Sequence, residues 1–256
     1  MKDKILFIGY GQITKAILRG MRGVLSGQSV SIAGKDPAKI APFLKQEGLE
    51  FIDLKPCENI DITDSVVFLT LKPHALGQFS YTGQATAVLS ALAGVSIELL
   101  QARLQAPIFV RFMPNVAAFL GLSATTFYSP KQTPKELIDL LASFGTAVQV
   151  DKEELIDASM VTNGSSLAFL SLFAQGLIDS GVRAGLPHAQ ARELVEQSFK
   201  GFSALLAKQS PQEISQSICT PAGATIEGLS VLEEKGVRGA IMQACHAVAQ
   251  RYKPKS

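Results

Sequence analysis

The chain has 256 residues, of which 47% are hydrophobic and 18% are charged, and its formal net charge is +2. This length and apolar content suit one large or two smaller well-buried domains. The small charge, with scattered lysines and arginines, gives no support for a nucleic-acid or membrane-surface partner. Three widely spaced cysteines match no zinc pattern, so we expect no metal and a reducing, cytoplasmic compartment.

Two further features bear on the compartment. The first strand follows Met1-Lys2-Asp3-Lys4 directly, so we expect no signal peptide. The apolar stretch over residues 87–100 is interrupted by polar residues and is too short to span a bilayer. Both observations favour a protein with no membrane partner.

The first strand runs directly into a glycine turn. The apolar run Ile5–Ile8 is followed by Gly9-Tyr10-Gly11, and Gln12–Leu18 has helical apolar spacing. This pattern is typical of the first βα turn of a dinucleotide-binding fold, in which the glycines let a pyrophosphate approach the helix N-terminus. Thr14 replaces the third glycine, so we expect helix and strand to lie slightly further apart. A tight turn in another α/β protein is the alternative.

The end of the second predicted strand, Ser29–Ala33, bears on the choice of cofactor. NAD enzymes usually place an acid there, which accepts a hydrogen bond from the ribose 2′-hydroxyl. This chain has Ala33-Gly34-Lys35 instead, and Lys35 offers a cation to a 2′-phosphate. The pattern favours NADPH, with NADH possible, and a solvated surface lysine is the alternative. We interpret Asp36 as the N-cap of the following helix, with Pro37 at its first position.

Two later strands, predicted over Val66–Leu71 and Pro107–Phe112, end in segments that suit a site. Ligands bind at the carboxyl ends of parallel strands in such sheets. One strand ends in Leu71-Lys72-Pro73, where Lys72 either faces the cofactor or caps the sheet edge. The other leads into Met113-Pro114-Asn115, where Asn115 either bonds the nicotinamide region or forms the turn.

The alternation of strands and helices continues to residue 150. Thr133-Pro134 is expected to open a helix that Gly145 closes, and Ala147–Val150 is a possible last strand. We therefore predict a Rossmann-like, doubly wound α/β domain over residues 1–150.

Residues 151–256 contain no convincing strand and are predicted to be all helical. These helices are rich in alanine and leucine, which suits a bundle that buries itself against a second copy. We expect a homodimer or a higher homo-oligomer, and a monomeric bundle packed on the sheet domain is the alternative. The predicted helices are Leu155–Gly181, Pro187–Leu206, one beginning after Ser210, Thr225–Lys235 and Val237–Tyr252.

A loop of small residues, Cys219–Thr225, precedes one of these helices. Small side chains let the backbone approach a ligand, and a helix N-terminus suits a carboxylate. Thr225 is predicted to be the helix N-cap, with a hydroxyl free for one hydrogen bond. A plain capped turn is the alternative. The run Asn163–Phe169 similarly predicts either close helix packing or the wall of a site.

These motifs, in this order, resemble the pyrroline-5-carboxylate reductase family over nearly the whole chain. The block around the small-residue loop is highly specific, whereas the glycine turn is not. The matching segments are Ile8–Ile13, Leu69–His74, Val110–Asn115, Leu155–Ala158, Asn163–Phe169, Gly181–Pro187 and Cys219–Leu229.

The resemblance implies reduction of the cyclic imine Δ1-pyrroline-5-carboxylate to L-proline with NADPH or NADH, and interlocked C-terminal helices in a dimer. It places the substrate carboxylate on backbone N–H groups around Gly223 and the ring nitrogen on Thr225. The implied substrate-binding residues are Thr220, Ala222, Gly223, Ala224 and Thr225. The implied cofactor-binding residues are Gly9, Gly11, Gln12 and Ile13 at the pyrophosphate, Lys35 at the 2′-phosphate and Asn59 on the adenosine side.

The chemistry fits the residues. An iminium accepts hydride readily, so correct positioning of the nicotinamide and the imine carbon is sufficient for catalysis, and no catalytic histidine is needed. The chain departs from the family at Ala222 and Ala224, which replace glycine and threonine, and at Phe169, which lacks the usual tyrosine hydroxyl. These departures leave two alternatives: a reductase of another small imine or carbonyl acid, and a catalytically silent dinucleotide-binding regulatory protein.

Overall fold

The computed structural model describes residues 4–251, so Tyr252 at the end of the last predicted helix lies outside the described residues. Contacts divide the chain into two compact units. The first comprises residues 4–164 and 249–251, and the second comprises residues 165–248. The domain boundary at residue 150, drawn where the strands end, stays a prediction.

The first unit is built on an eight-stranded sheet in the order β10-β9-β8-β7-β5-β1-β2-β3, and a separate two-stranded ribbon pairs β4 with β6. All pairs are parallel except β8 with β9. The strands are β1 (Lys4–Ile8), β2 (Val30–Gly34), β3 (Asp53–Pro56), β4 (Ile60–Asp61), β5 (Ser65–Leu69), β6 (Tyr81–Thr82), β7 (Ala87–Ser90), β8 (Phe109–Met113), β9 (Ser123–Tyr128) and β10 (Gly145–Gln149).

The order β3-β2-β1-β5-β7-β8 is that of the dinucleotide-binding sheet, and the strand order reverses between β1 and β5. The first unit has the helices α1 (Gln12–Gly20), α2 (Arg22–Leu25), α3 (Ala41–Glu47), α4 (Ile97–Arg103), α5 (Lys135–Ala142) and α6 (Glu154–Ala158). The predicted fold class, a Rossmann-like sheet followed by a helical region, is confirmed.

The central strands are buried on both faces because alternate side chains enter two separate cores. On one face, the rings of Phe7 and Phe68 stack with centroids 4.7 Å apart, and Phe112 packs edge-on against Phe68 at 5.8 Å. On the other face, Leu6 and Val67 belong to a second cluster of buried apolar residues. All five residues of β5 are buried, which explains its continuous apolar run.

Several predicted helix ends differ in the structure. Asp36 precedes a short 3₁₀ turn, Pro37–Ile40, and makes no capping bond with its side chain. Its carboxylate lies 3.2 Å from Lys39 Nζ instead. The helix expected from Thr133 begins at Lys135 with Pro134 as N-cap, again without a side-chain cap.

The second unit is helical. The single helix expected over 155–181 is two helices, because a 3₁₀ turn, Ser159–Val161, separates α6 from the next one. Ser210 forms the predicted N-cap with a full capping box to Glu213. The helices are α7 (Ser166–Arg183), α8 (His188–Leu206), α9 (Pro211–Ile218), α10 (Ala224–Glu234) and α11 (Val237–Arg251), the last with residues 237–248 in this unit.

The helices of the second unit expose much of their apolar surface. Leu172 on α7 is 75% exposed, and Met242 on α11 is 67% exposed. By length and composition alone, the helical run Glu154–Arg183 is long and apolar enough to cross a membrane. Of its most apolar stretch of 18 residues, 6% is buried. A helix whose apolar face pairs with another copy of the chain has the same composition and the same exposure.

Candidate functional site

The turn after β1 has the geometry that a bound pyrophosphate requires. Gly9 has φ +116°, and a Cβ there would lie 2.6 Å from the backbone nitrogen of Leu71, so only glycine fits. Gly11 is the N-cap of α1, and a Cβ on it would meet nothing within 4 Å. The first turn of α1, with Gln12 and Ile13, has N–H groups without partners inside the helix. The open side of Gly11 and these donors together fit an anion.

Thr14 fills the position that usually holds the third glycine. Its side chain is fully buried, and its hydroxyl oxygen lies 2.8 Å from Oγ1 of Thr70 and 3.2 Å from the carbonyl oxygen of Gly9. The hydroxyl thus links α1 to the end of β5. The larger spacing between helix and strand stays a prediction.

A cavity of about 370 Å³ opens beside this turn, at the carboxyl ends of β1, β2 and β5. Five predicted cofactor residues line it together: Gly9, Gly11, Lys35, Leu71 and Lys72. Tyr10 and His74, to which the sequence analysis gave no role in binding, also line it.

The other predicted cofactor residues are not in the lining of that cavity. Gln12 and Ile13 lie in the first turn of α1, and Pro73 begins a 3₁₀ turn, Pro73–Ala75. Asn59 has φ +51°, and its N–H donates to Ser80 Oγ at 2.7 Å in the turn before β4. A contact between Asn59 and the adenosine stays a prediction.

Asn115 holds the loop after β8 together. Its Oδ1 accepts a hydrogen bond from the N–H of Ala117 at 3.0 Å, and its Nδ2 donates to the carbonyl oxygen of Asn163 at 2.9 Å. Asn163 in turn donates from Nδ2 to the Met113 carbonyl oxygen at 2.8 Å. This geometry agrees with the turn-forming alternative for Asn115, and its contact with nicotinamide stays a prediction. The sequence placed Asn163 in a small-residue run but gave no sign of this partner.

Sequence reasoning missed a buried ionic cluster beside this loop. Arg111 on β8 lies 3.2 Å from Glu153 and 2.9 Å from Asp157, and its side chain is 4% exposed. Glu153 also accepts from the N–H of Ile97, and Asp157 from the N–H of Gly94. The cluster therefore fixes α6 to β8 and to the start of α4. The sequence did contain a signal for this cluster. Arg111 lies within an apolar strand, and the acids Glu153 and Asp157 are four residues apart, a helical spacing.

The small-residue loop lies in the second unit, between α9 and α10. Gly223 is the N-cap of α10, with φ −80° and ψ 160°, and the helix begins at Ala224. The prediction that Thr225 is the N-cap is therefore wrong; Thr225 is the second helical residue. The extended backbone of Gly223 and the helix propensity of Ala224 start the helix earlier. Gly223 lies close to the side chain of Thr220, because a Cβ on Gly223 would lie 2.4 Å from Oγ1 of Thr220.

The capping box of α9, which leads into this loop, also affects a carboxyl group. The backbone N–H of Ser210 donates to Glu213, and so does its hydroxyl. Both bonds favour the charged form and lower the pKa of Glu213 below its ordinary value.

Ala222 has a backbone conformation that favours glycine, with φ +57°. The left-handed region disfavours residues with a Cβ by about 1–2 kcal/mol. We expect Ala222→Gly to raise the free energy of unfolding by about 1 kcal/mol, since the relief of strain exceeds the added entropy of the unfolded chain. Urea unfolding measures the change.

Ala224→Gly is the matched control for that prediction. It makes the same chemical change at the first residue of α10, where the backbone is helical, so it should lower stability, by at most about 0.5 kcal/mol. Equal effects of the two substitutions would contradict a strained Ala222.

The sheet order, the glycine turn and the cavity define a dinucleotide-binding protein with a helical second unit. Residues 4–94 match the family described as NADP oxidoreductase, coenzyme F420-dependent, and residues 153–255 match the family described as pyrroline-5-carboxylate reductase dimerisation. A pyrroline-5-carboxylate reductase of Helicobacter pylori is 48% identical over 244 residues, which cover 94% of this chain and 95% of the relative. The chain belongs to the pyrroline-5-carboxylate reductase family, and the resemblance found in the sequence is confirmed.

Solved structures agree with this assignment. The 1-pyrroline-5-carboxylate reductase of Streptococcus pyogenes has a TM-score of 0.81 and 25% identity, covering 99% of both chains. The pyrroline carboxylate reductase of Plasmodium falciparum, solved with NADP bound, has a TM-score of 0.77 and 22% identity, covering 98% of both chains. At that identity the second likeness supports the fold alone.

Proposed function

We propose that this protein reduces 1-pyrroline-5-carboxylate to L-proline with NADPH, the last step of proline biosynthesis. The observation that carries the proposal is the match of nearly the whole chain, at 48% identity, to a relative named for this activity. The cavity beside the glycine turn is a second support, because its lining includes a lysine and no acid at the end of β2.

The residues of the first unit fit a dinucleotide. The open side of Gly11, with the N–H groups of Gln12 and Ile13, holds the pyrophosphate, and Lys35 pairs with a 2′-phosphate. Asn59, the segment Leu71-Lys72-Pro73 and Asn115 are proposed to complete the adenosine and nicotinamide ends. When bound, NADPH supplies a hydride, and NADH is a possible substitute.

The loop of the second unit is proposed to hold the substrate. Backbone N–H groups of Ala222 and Ala224 bind the carboxylate at the N-terminus of α10, while the N–H of Gly223 donates to the Thr220 carbonyl oxygen at 3.0 Å and holds the loop in shape. The exposed hydroxyl of Thr225 bonds the ring nitrogen and orients the imine carbon for attack. A protonated imine already carries the positive charge that a hydride neutralises, so these residues position the substrate and need not transfer a proton.

One assay tests the proposal. NADPH oxidation is followed with purified protein and pyrroline-5-carboxylate, and proline is identified as the product. Other cyclic imines and carbonyl acids are tried in parallel, because Ala222 and Ala224 alter the substrate loop relative to the family. Faster turnover of one of them would assign the enzyme to that substrate, and no turnover of any would indicate a silent dinucleotide-binding protein.

Lys35→Glu should reverse the choice of cofactor. We expect the KM for NADPH to rise far more than the KM for NADH, because a carboxylate repels a 2′-phosphate but accepts a hydrogen bond from a 2′-hydroxyl. Lys45→Glu on α3 is the matched control, since it makes the same charge change away from the cavity lining. Equal losses for both cofactors in Lys35→Glu would remove this lysine from the role.

We also propose that the protein acts as a homodimer, or as a higher homo-oligomer, in the cytoplasm. The dimerisation family match and the exposed apolar residues of α7 and α11 support self-association. Three free cysteines support a reducing compartment. No nucleic-acid or membrane partner is proposed. Light scattering should show at least a dimer at micromolar concentration, and a fully active monomer would contradict this.

A further inference from the structure

Tyr10, between the two glycines of the first turn, lies against the end of β2. A Cβ on Gly34, the last residue of β2, would lie 2.3 Å from Cε1 and 2.5 Å from Cδ1 of the Tyr10 ring. Gly34 is an extended strand residue outside the left-handed region, so its backbone does not require glycine. The glycine is therefore required by the ring of Tyr10.

The ring of Tyr10 also packs against the core of the first unit. It packs against the same buried apolar cluster as Ile13 of α1 and Leu54 of β3. The ring is half-buried, and its remaining surface forms part of the cavity wall together with Gly34 and Lys35. A side chain that is packed on a core and faces a cavity can present its polar end at a fixed place.

The hydroxyl of Tyr10 reaches the segment that follows β2. Its oxygen accepts a hydrogen bond from the backbone N–H of Asp36 at 3.3 Å, directly after Lys35. Accepting that bond leaves the phenol proton available for donation. The hydroxyl is thus set beside the lysine at which a 2′-phosphate is proposed to bind.

We propose that Tyr10 is a second determinant of cofactor choice in this protein, because its hydroxyl donates a hydrogen bond to the 2′-phosphate that pairs with Lys35. The inference rests on the proposed use of NADPH. A hydrogen bond to a phosphate oxygen is charge-assisted and stronger than one to a neutral ribose hydroxyl. Tyr10 therefore discriminates between the two cofactors, and Gly34 provides the room that its ring needs.

Calorimetric binding of two cofactor fragments, 2′,5′-ADP and 5′-AMP, tests this without turnover. The wild-type protein should bind 2′,5′-ADP more tightly. Tyr10→Phe removes one oxygen and should weaken 2′,5′-ADP by about ten- to a hundred-fold, the usual effect of losing a hydrogen bond to a charged group. Binding of 5′-AMP should change by less than about three-fold. Tyr81→Phe, a phenol that does not line the cavity, should leave both affinities unchanged.

Gly34→Ala provides an independent test, because the added methyl displaces the same ring. It should weaken 2′,5′-ADP selectively, and combining it with Tyr10→Phe should produce no further loss. Melting temperatures measured without ligand show whether each variant folds. If Gly34→Ala does not fold, the binding data for Tyr10→Phe decide the inference.

Three results would overturn the inference. The first is an unchanged 2′,5′-ADP affinity in Tyr10→Phe, and the second is an equal loss for both fragments. The third is a wild-type protein that binds both fragments equally, which would overturn the proposed NADPH preference as well. None of these measurements uses the imine, so a wrong substrate assignment appears only in the turnover assay.

Discussion

Replacing Arg111 by methionine is expected to lower the free energy of unfolding by about 3 kcal/mol. The substitution keeps an unbranched, flexible stem but removes the guanidinium, which leaves Glu153 and Asp157 without their cation. Removing one partner of a buried ion pair typically destabilises by about 3–5 kcal/mol. We expect the lower end because the two carboxylate side chains are 28% and 17% exposed. Urea unfolding of the purified protein measures the loss.

The exposed pair Lys135–Asp139 is the control for this prediction. Its side chains are 81% and 61% exposed, so Lys135→Met should change stability very little. An Arg111→Met protein as stable as the wild type would show that the dehydration of the charges in this cluster offsets their attraction. Arg111→Lys should lie between the two, because a lysine keeps the charge but has one nitrogen, whereas arginine reaches Glu153 with Nη1 and Asp157 with Nη2.

Thr225→Ala is expected to lower kcat/KM for the imine by about ten- to a hundred-fold, the effect of losing one hydrogen bond to a charged group. Cofactor affinity should change little. Because Gly223, and not Thr225, caps α10, the substitution removes no capping bond, and alanine is the better helix former. The melting temperature should therefore stay close to that of the wild type, and the kinetic loss can be attributed to the site.

Thr225→Ser separates the hydroxyl from the methyl group. It keeps the proposed donor and acceptor, so most of the activity should remain. A folded Thr225→Ala protein with unchanged kcat/KM would show that backbone N–H groups hold the imine without this side chain.

The sequence predicts the elements that carry strong local signals. β1, the glycine turn and α1 follow from an apolar run, two glycines and helical spacing, and β5 follows from a continuous apolar run. β7 was missed because it has only four residues, three of them apolar, which is too few to show a period. β9 was missed because its first four residues, Ser123–Thr126, include no large apolar side chain, and the strand is completed by antiparallel pairing with β8. Such strands depend on their neighbours more than on their own residues.

Gly9 and Lys35 of the candidate site were predictable because each directly follows a strand of the sheet and each is a residue type that suits a dinucleotide. Contacts between distant segments were not predictable. Nothing in the spacing of Asn115 and Asn163 indicates that their loops meet, and nothing local to Gly34 indicates the ring beside it. The N-cap at Thr225 was wrong because the capping preference favours hydroxyl side chains, whereas the extended backbone of Gly223 begins this helix.

The contact between Tyr10 and Gly34 also restricts the order in which mutations can change this enzyme's cofactor over evolution. An acid at the end of β2 is the usual means of recognising NAD. At position 34 any side chain meets the tyrosine ring at 2.3 Å, so an acid there is accommodated only after Tyr10 has been replaced or displaced. Position 35 has no such prerequisite. Epistasis between the glycine turn and the end of β2 thus makes one mutational route to NADH depend on an earlier change at Tyr10 and leaves the other route open.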